Sequence, residues 1–498
     1  MATPSLHPRL TADDASFLYL ERKEMPLHIG SVAVYEGELP FDRFVRMVDS
    51  KLHLLPRYRQ RVIPAPFNVG HPSWEDDPSF DIRNHIFEVT IDPPGDDAAL
   101  RELAGRLFSG VMDRNKPLWT IHIIRGLEHG RSAMLSKVHH CMVDGVSGVG
   151  LMSIILDTTP DVAIPEEKPP FQPAPLPDAS QLFFNALQQG FADTLDRMLT
   201  AQSSYLTLLQ TMLTPTTLTA LQEVAPLLAE LALPPDRLPF NRPCTGERRI
   251  TWNEYSFGEA RAIRGALGGT VNDVVLTVLS GAVAKFTRAA GMDTTKKMCR
   301  FMCPVNVRRE EQRGRLGNQV SALLVNVPLD ITDPAERMKT VTRRTEALKN
   351  ARLADLLHLM TTWAGAIPAP LQAMVAALPF VQLPAPIFNM VCTNVPGPMI
   401  PLYGCGQQMV SLYPHVPTGN DMGINCAIQT YNHKIAFGLT SDAGAAPDAY
   451  RMSAYLDESF NELLRAAGLP EHQKTRVVAV RPVRTRRKAA EHKGMAAV

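Results

Sequence analysis

Nowhere in these 498 residues do about 20 apolar side chains follow one another without a proline or polar interruption, so no transmembrane helix is expected. Net charge is nearly absent too. The 51 Lys/Arg against 50 Asp/Glu leave +1, which argues against general nucleic-acid binding. Paired Cys-x-x-Cys and His-Glu-x-x-His are both missing, and zinc needs three or four convergent ligands, so no metal centre is expected. The seven cysteines (141, 244, 299, 303, 392, 405 and 426) are odd in number and scattered, which suits a reducing, cytoplasmic setting. Residues 1–14 carry no apolar core of signal-peptide type. No Gly-rich phosphate loop is visible, and no bound cofactor is expected.

The sharpest local deficit is of charge. From Leu356 to Asn420, 65 residues pass without one Asp, Glu, Lys or Arg. Ten prolines break this stretch, so it is not one membrane span. Two readings stay open: ordinary core, the default because charged side chains rarely sit fully buried, or the wall of a channel for apolar ligand. Charge returns at 471–498, where eight Lys/Arg face two Glu, giving +6 against −5 for the remainder. Such a tail is expected to be disordered. It also suits peripheral contact with anionic headgroups, at about 1 kcal/mol per charge.

Residues 1–160 alternate strand-like runs (29–35, 61–64, 87–91, 121–124, 132–138) with helical ones (41–54, 98–110), an α/β layout. A Pro-rich connection and an apolar helical stretch at 181–233 fill 161–244. The apolar stripe of that stretch reads first as core, with a membrane face or a cap over a lipid site as the alternatives. The α/β pattern resumes over 245–470, with strands at 249–256, 298–305, 321–328, 421–431 and 434–441 and helices at 271–289, 334–351 and 450–469. Two α/β units suggest a site in the cleft between them.

Chemistry concentrates at Lys137-Val138-His139-His140-Cys141-Met142-Val143-Asp144-Gly145. A strand-like run precedes it and an apolar helical run, 146–156, follows, so the histidines stand at an element end. If the strand continues, the alternation of side chains sends His139 and His140 to opposite faces. His140 is then the residue that meets substrate and His139 packs within the scaffold. A neutral imidazole, with an ordinary pKa near 6.5, suits proton abstraction. Asp144 can brace the loop by pairing with an arginine, and Gly145 frees its backbone. A zinc site or a Cys141 nucleophile fits less well, since on a strand Cys141 points away from His140.

The His-His-x-x-x-Asp-Gly pattern resembles the signature of the CoA-dependent acyltransferase superfamily. Within it the chain is similar to the bacterial wax ester synthase/acyl-CoA:diacylglycerol acyltransferases over about residues 8–470. The likeness includes Phe17-Leu18-Tyr19-Leu20-Glu21, Pro26-Leu27-His28, Pro117-Leu118-Trp119, Val271-Asn272-Asp273, Pro304-Val305-Asn306-Val307-Arg308 and Asn394-Val395-Pro396-Gly397-Pro398.

That resemblance implies two chloramphenicol-acetyltransferase-like lobes with the active site and a tunnel at their interface. It implies His140 as general base beside His139, Asp144 as a structural aspartate before Gly145, and Arg308 as its salt-bridge partner. Asn272 would serve the oxyanion or orient the reactants, and Glu21 would approach the histidines. The simpler alternatives are a surface charge for Glu21, a helix cap for Asn272, and core packing rather than substrate contact for Pro117, Leu118 and Trp119. The implied substrates are acyl-CoA with diacylglycerol or a long-chain alcohol, met peripherally at a membrane or lipid droplet. Transfer from carrier-protein-bound donors, or lipid binding without catalysis, are the competing functions. The charge-free 356–420 stretch is the expected part of a tunnel wall.

Overall fold

The computed structural model describes residues 9–142, 152, 154–164, 170–212, 215–306, 320–352, 365, 367–377 and 387–472. Two six-stranded sheets organise them. The first is built on β1 (His28–Tyr35), which lies antiparallel between β6 (Arg131–His139) and β12 (Gln407–His415). It continues through β5 (Trp119–Leu127) to β4 (Ile86–Thr90), while β11 (Tyr403–Gly404) flanks β12 at the other edge. Helix α2 (Phe41–Lys51) covers one face, packing Phe44 and Val48 on Ala33 and Tyr35. Helix α3 (Asp97–Phe108) covers the other, with Leu100 and Phe108 against Val32 and Leu135. This two-sided burial explains why β1 is apolar on both faces toward its C-terminal end.

The second sheet runs β7 (Arg248–Ser256), β14 (Lys434–Asp442), β13 (Ile424–Tyr431), β10 (Met390–Val395), β8 (Met298–Asn306) and β9 (Val320–Pro328). Strand β10 is parallel to both neighbours. Helix α7 (Val271–Ala289) is enclosed by this sheet and by α8 (Pro334–Asn350) and α10 (Met452–Ala466). It is apolar nearly all round, as a fully enclosed helix must be. Among the described residues no single helix is long and apolar enough to cross a membrane. The bent pair α6 (Phe257–Leu267) and α7 has the composition, but α7 is the centre of this core.

The lobes are stitched rather than merely apposed. Strand β12, from the C-terminal half, belongs to the first sheet, so a boundary at 245 divides the chain but not the sheets. Trp252 of β7 stacks on Tyr413 of β12 at 4.6 Å, and its indole N–H donates to Asp97 of α3 at 2.9 Å. The described part of 356–420 thus divides. Met390, Cys392, Met409 and Leu412 are core, whereas helix α9 (Ala369–Ala377) exposes Leu371, Met374 and Val375.

The long stretch at 181–233 forms α4 (Ala179–Met212) and α5 (Pro215–Ala232). Reading its stripe as core needs correction. Phe184, Leu187, Phe191, Leu195 and Leu199 point outward. Helix α4 instead seats its small residues, Ala186 and Gly190, against Val69 and Gly70. The Pro-rich connection before it lies on the first lobe, where Phe171 stacks under Arg59 at 4.2 Å.

Candidate active site

Strand β6 delivers the histidine pair at its C-terminal end, and the chain turns at once into a 3-10 turn, His140–Met142. Each histidine is pinned through its backbone. The His139 N–H donates to the Leu118 carbonyl and the His140 N–H to that of Leu27, both at 2.9 Å. The two side chains part company here because the strand stops, not because alternation continues through the motif. His139 is fully buried and His140 half-buried.

His139 is held by a hydrogen bond at one ring nitrogen and turns the other toward a carboxylate. Its Nδ1 accepts the backbone N–H of Cys141 at 3.1 Å, which leaves the proton on Nε2. Nε2 faces the Glu21 carboxylate at 3.2 Å. Glu21 ends helix α1 (Ala12–Leu20), where it also accepts the Leu27 N–H at 3.0 Å and the Arg114 guanidinium at 3.0 Å. Its side chain is 1% exposed, which overturns its reading as a surface charge. Burial alone would raise the Glu21 pKa. The hydrogen bonds from His139, the Leu27 amide and Arg114 outweigh burial, and bring it from 4.5 down to about 2.

Because that pKa is depressed, the stabilisation is fully present above the unfolded value of 4.5 and is lost as pH falls toward about 2. Glu21→Ala leaves the buried His139 imidazole and the Leu27 amide without their acceptor, and is expected to cost about 1–3 kcal/mol for each orphaned donor in urea unfolding at neutral pH. Most of that deficit should vanish near pH 2, where the wild-type carboxylate is itself half protonated.

His140 lies flat against Phe17 of α1, with ring centroids 3.9 Å apart and an angle of 12°. One helix therefore carries both the carboxylate that holds His139 and the ring that orients His140. The neighbouring Cys141 thiol is buried and pushed well above its ordinary pKa by burial, which removes it as a nucleophile at neutral pH.

Below the histidines, the C-terminal carbonyls of α3 are capped from the sheet. Lys137 donates to Leu107 at 2.8 Å and His28 to Phe108 at 2.7 Å. Burial lowers Lys137 to about 8 and His28 to about 3, so His28 serves as a neutral donor.

Asn272 is the second residue of α7. It does not cap that helix: Thr270 and Asp273 form the capping box. Its Oδ1 accepts from Asn394 Nδ2 at 3.0 Å, and no described residue accepts from the Asn272 amide group. Asn394 stands near the C-terminal end of β10, beside parallel β8, which ends at Asn306 two residues before Arg308. Ligands of such sheets gather outside the carboxyl ends of parallel strands.

Pro117, Leu118 and Trp119 require correction as substrate contacts. Leu118 and Trp119 are closed into the core, and the Trp119 indole N–H donates to the Tyr58 carbonyl at 2.8 Å. Asp144, Gly145 and Arg308, with most of the expected 146–156 helix, lie outside the described residues; Met152, Ile155 and Leu156 are buried. Among the described residues no three His, Cys, Asp or Glu side chains cluster as metal ligands. Sequence reasoning passed over Arg114, which lies in a polar loop without periodicity. Phe17 and Asn394 fall within family-like motifs, but nothing in the sequence marks their roles.

Against known families, residues 10–275 match the wax ester synthase/diacylglycerol acyltransferase catalytic domain, and residues 316–464 match the C-terminal domain of the same family. The chain belongs to this family. It is an acyl-CoA-dependent O-acyltransferase. A putative diacylglycerol O-acyltransferase of Mycobacterium tuberculosis is 29% identical over 477 residues, spanning 92% of this chain and 90% of its own. A probable diacylglycerol O-acyltransferase of the same organism, tgs2, is 30% identical over 475 residues, spanning 92% and 99%. The acyltransferase shares its fold with a wax ester synthase/diacylglycerol acyltransferase from Marinobacter aquaeolei VT8, at TM-score 0.64 and 24% identity over 93% of this chain and 100% of that one. The starter condensation domain of rhizomide synthetase is more distant, at TM-score 0.52 and 13% identity over 94% and 96%. The bilobal chloramphenicol-acetyltransferase-like architecture is that of the family.

Proposed function

We propose that this acyltransferase moves a fatty acyl group from CoA to the hydroxyl of diacylglycerol or of a long-chain alcohol, with His140 as general base. The observation that carries this reading is the division of labour in the histidine pair. Glu21 and the Cys141 amide hold His139 rigid inside the scaffold, while His140, one residue on, is left half-buried and oriented by Phe17. A base so placed satisfies the geometric requirement for proton abstraction, worth about 10²–10⁴-fold in rate.

In this mechanism the His140 imidazole takes the proton of the acceptor hydroxyl as its oxygen attacks the thioester carbon. The C=O π pair moves to oxygen, and the Asn272 amide, with its own oxygen tethered by Asn394, donates to that oxyanion. Collapse re-forms the carbonyl and breaks the C–S bond. The departing CoA thiolate takes the proton from the imidazolium. No acyl-enzyme forms.

Both acceptors are nearly insoluble in water, so the enzyme meets them as a peripheral protein on a membrane or droplet. The test is purified protein with palmitoyl-CoA and either acceptor. CoA release matched by triacylglycerol or wax ester supports the reading. Tight lipid binding without turnover, or turnover only with carrier-protein thioesters, refutes it.

A further inference from the structure

Helix α4 is built the reverse of an ordinary surface helix. Phe184, Leu187, Phe191, Leu195, Leu199 and Leu206 recur at helical spacing and are all exposed, Phe191 by 74%. The inward arc carries alanine and glycine, with Ala186 and Ala201 fully buried. From Phe184 to Leu206 the stripe runs about 33 Å along the helix. Helix α9 repeats the pattern, with Leu371, Met374 and Val375 outward and Ala369 and Ala376 inward.

The turn Pro66–Asn68 touches both helices and joins them. At its tip Phe67 is 88% exposed and meets Phe183 of α4 edge-on at 6.4 Å. Its φ of 54° is unfavourable for a bulky side chain, so the turn holds an aromatic ring outward against local preference. Three segments distant in sequence thus meet at one turn, and each carries large apolar side chains exposed on its surface. Exposed apolar surface on this scale marks an interaction site.

We infer that this face, formed by α4, Phe67 and α9, docks the enzyme on the uncharged acyl region of a lipid surface. The inference deepens the acyl-transfer reading and rests on it for the acceptor. Two features select lipid over protein. Protein interfaces interleave hydrogen bonds and favour Arg and Tyr at their anchors. Here the only charged residues on α4 are Asp193, Asp196 and Arg197, and α9 has none. Arg197 turns inward, against Gly365 beside Ala12 of α1. The face also leads to the candidate site. Helix α9 packs on α1, α1 packs on the turn that carries His140, and Phe17 of α1 is the ring stacked on it.

Flotation of the full-length protein with phosphatidylcholine vesicles containing diacylglycerol tests this, and needs no turnover. A failure of flotation is therefore distinct from a failure of acyl transfer. Wild type is expected to float at high and low salt alike. The double variant Phe191→Glu/Leu195→Glu should lose flotation and activity on vesicle-borne diacylglycerol, yet keep its turnover of hexanol in solution. Because that variant risks misfolding, Phe191→Trp supplies a second readout: brominated phosphatidylcholine should quench the new indole. Unchanged flotation of the double variant, or absence of quenching, overturns the proposal. So does binding that needs anionic lipid and is released by salt, which would assign it to the basic tail. Conversion of a dimer to monomer by the double variant would give the face to a second copy of the chain.

Discussion

His140→Ala is expected to lower kcat about 10²–10⁴-fold while leaving the protein folded. The rate loss follows from removing the group that takes the hydroxyl proton. The small effect on stability follows from what His140 touches. Its ring is half-buried, and the stack on Phe17 is a contact of about 0.5–1.5 kcal/mol. His139→Ala should behave in the opposite way, because that ring is fully buried and leaves the Glu21 carboxylate and the Cys141 amide short of a partner. Comparing kcat and urea midpoint for the two variants therefore separates catalyst from scaffold. Equal rate loss with equal instability in both would contradict the assignment.

Asn272→Ala is expected to reduce kcat about 10²–10³-fold, the usual cost of one oxyanion donor, with little change in KM for acyl-CoA. The helix should survive, since its N-terminus is capped by Thr270 and Asp273 and not by Asn272. Asn394→Ala removes only the tether on the Asn272 oxygen. It should lower kcat in the same direction but less, because the amide then samples other orientations. Adding Asn394→Ala to Asn272→Ala should cost little more, as two residues acting through one donor are not additive. Full additivity would give Asn394 a separate role.

The helix and strand periodicities were legible along most of the chain, and helix Val271–Ala289 falls where its apolar run places it. Strand β12 was not. Its residues, 407–415, lie in a proline-broken, charge-free stretch, and their partner β1 is nearly 400 residues away in sequence. Nothing local announces that pairing. The histidine motif announced a base, but its geometry depends on contacts from Glu21, Leu27 and Phe17, which only the tertiary fold brings together. Arg114 carries no signal because a single arginine in a polar loop resembles any solvated charge. The periodicity of α4 was visible, but not which arc faced inward. Periodicity fixes that large apolar side chains share a face, and the close approach of Ala186 and Gly190 to the 69–70 backbone decides which arc the lobe takes.

Direct transfer from thioester to hydroxyl is tested most simply by rapid mixing of enzyme and palmitoyl-CoA in the absence of acceptor. The mechanism predicts no burst of CoA and an unmodified protein mass, with release beginning only when diacylglycerol or alcohol is added. A burst stoichiometric with enzyme, accompanied by an acylated protein, would contradict it.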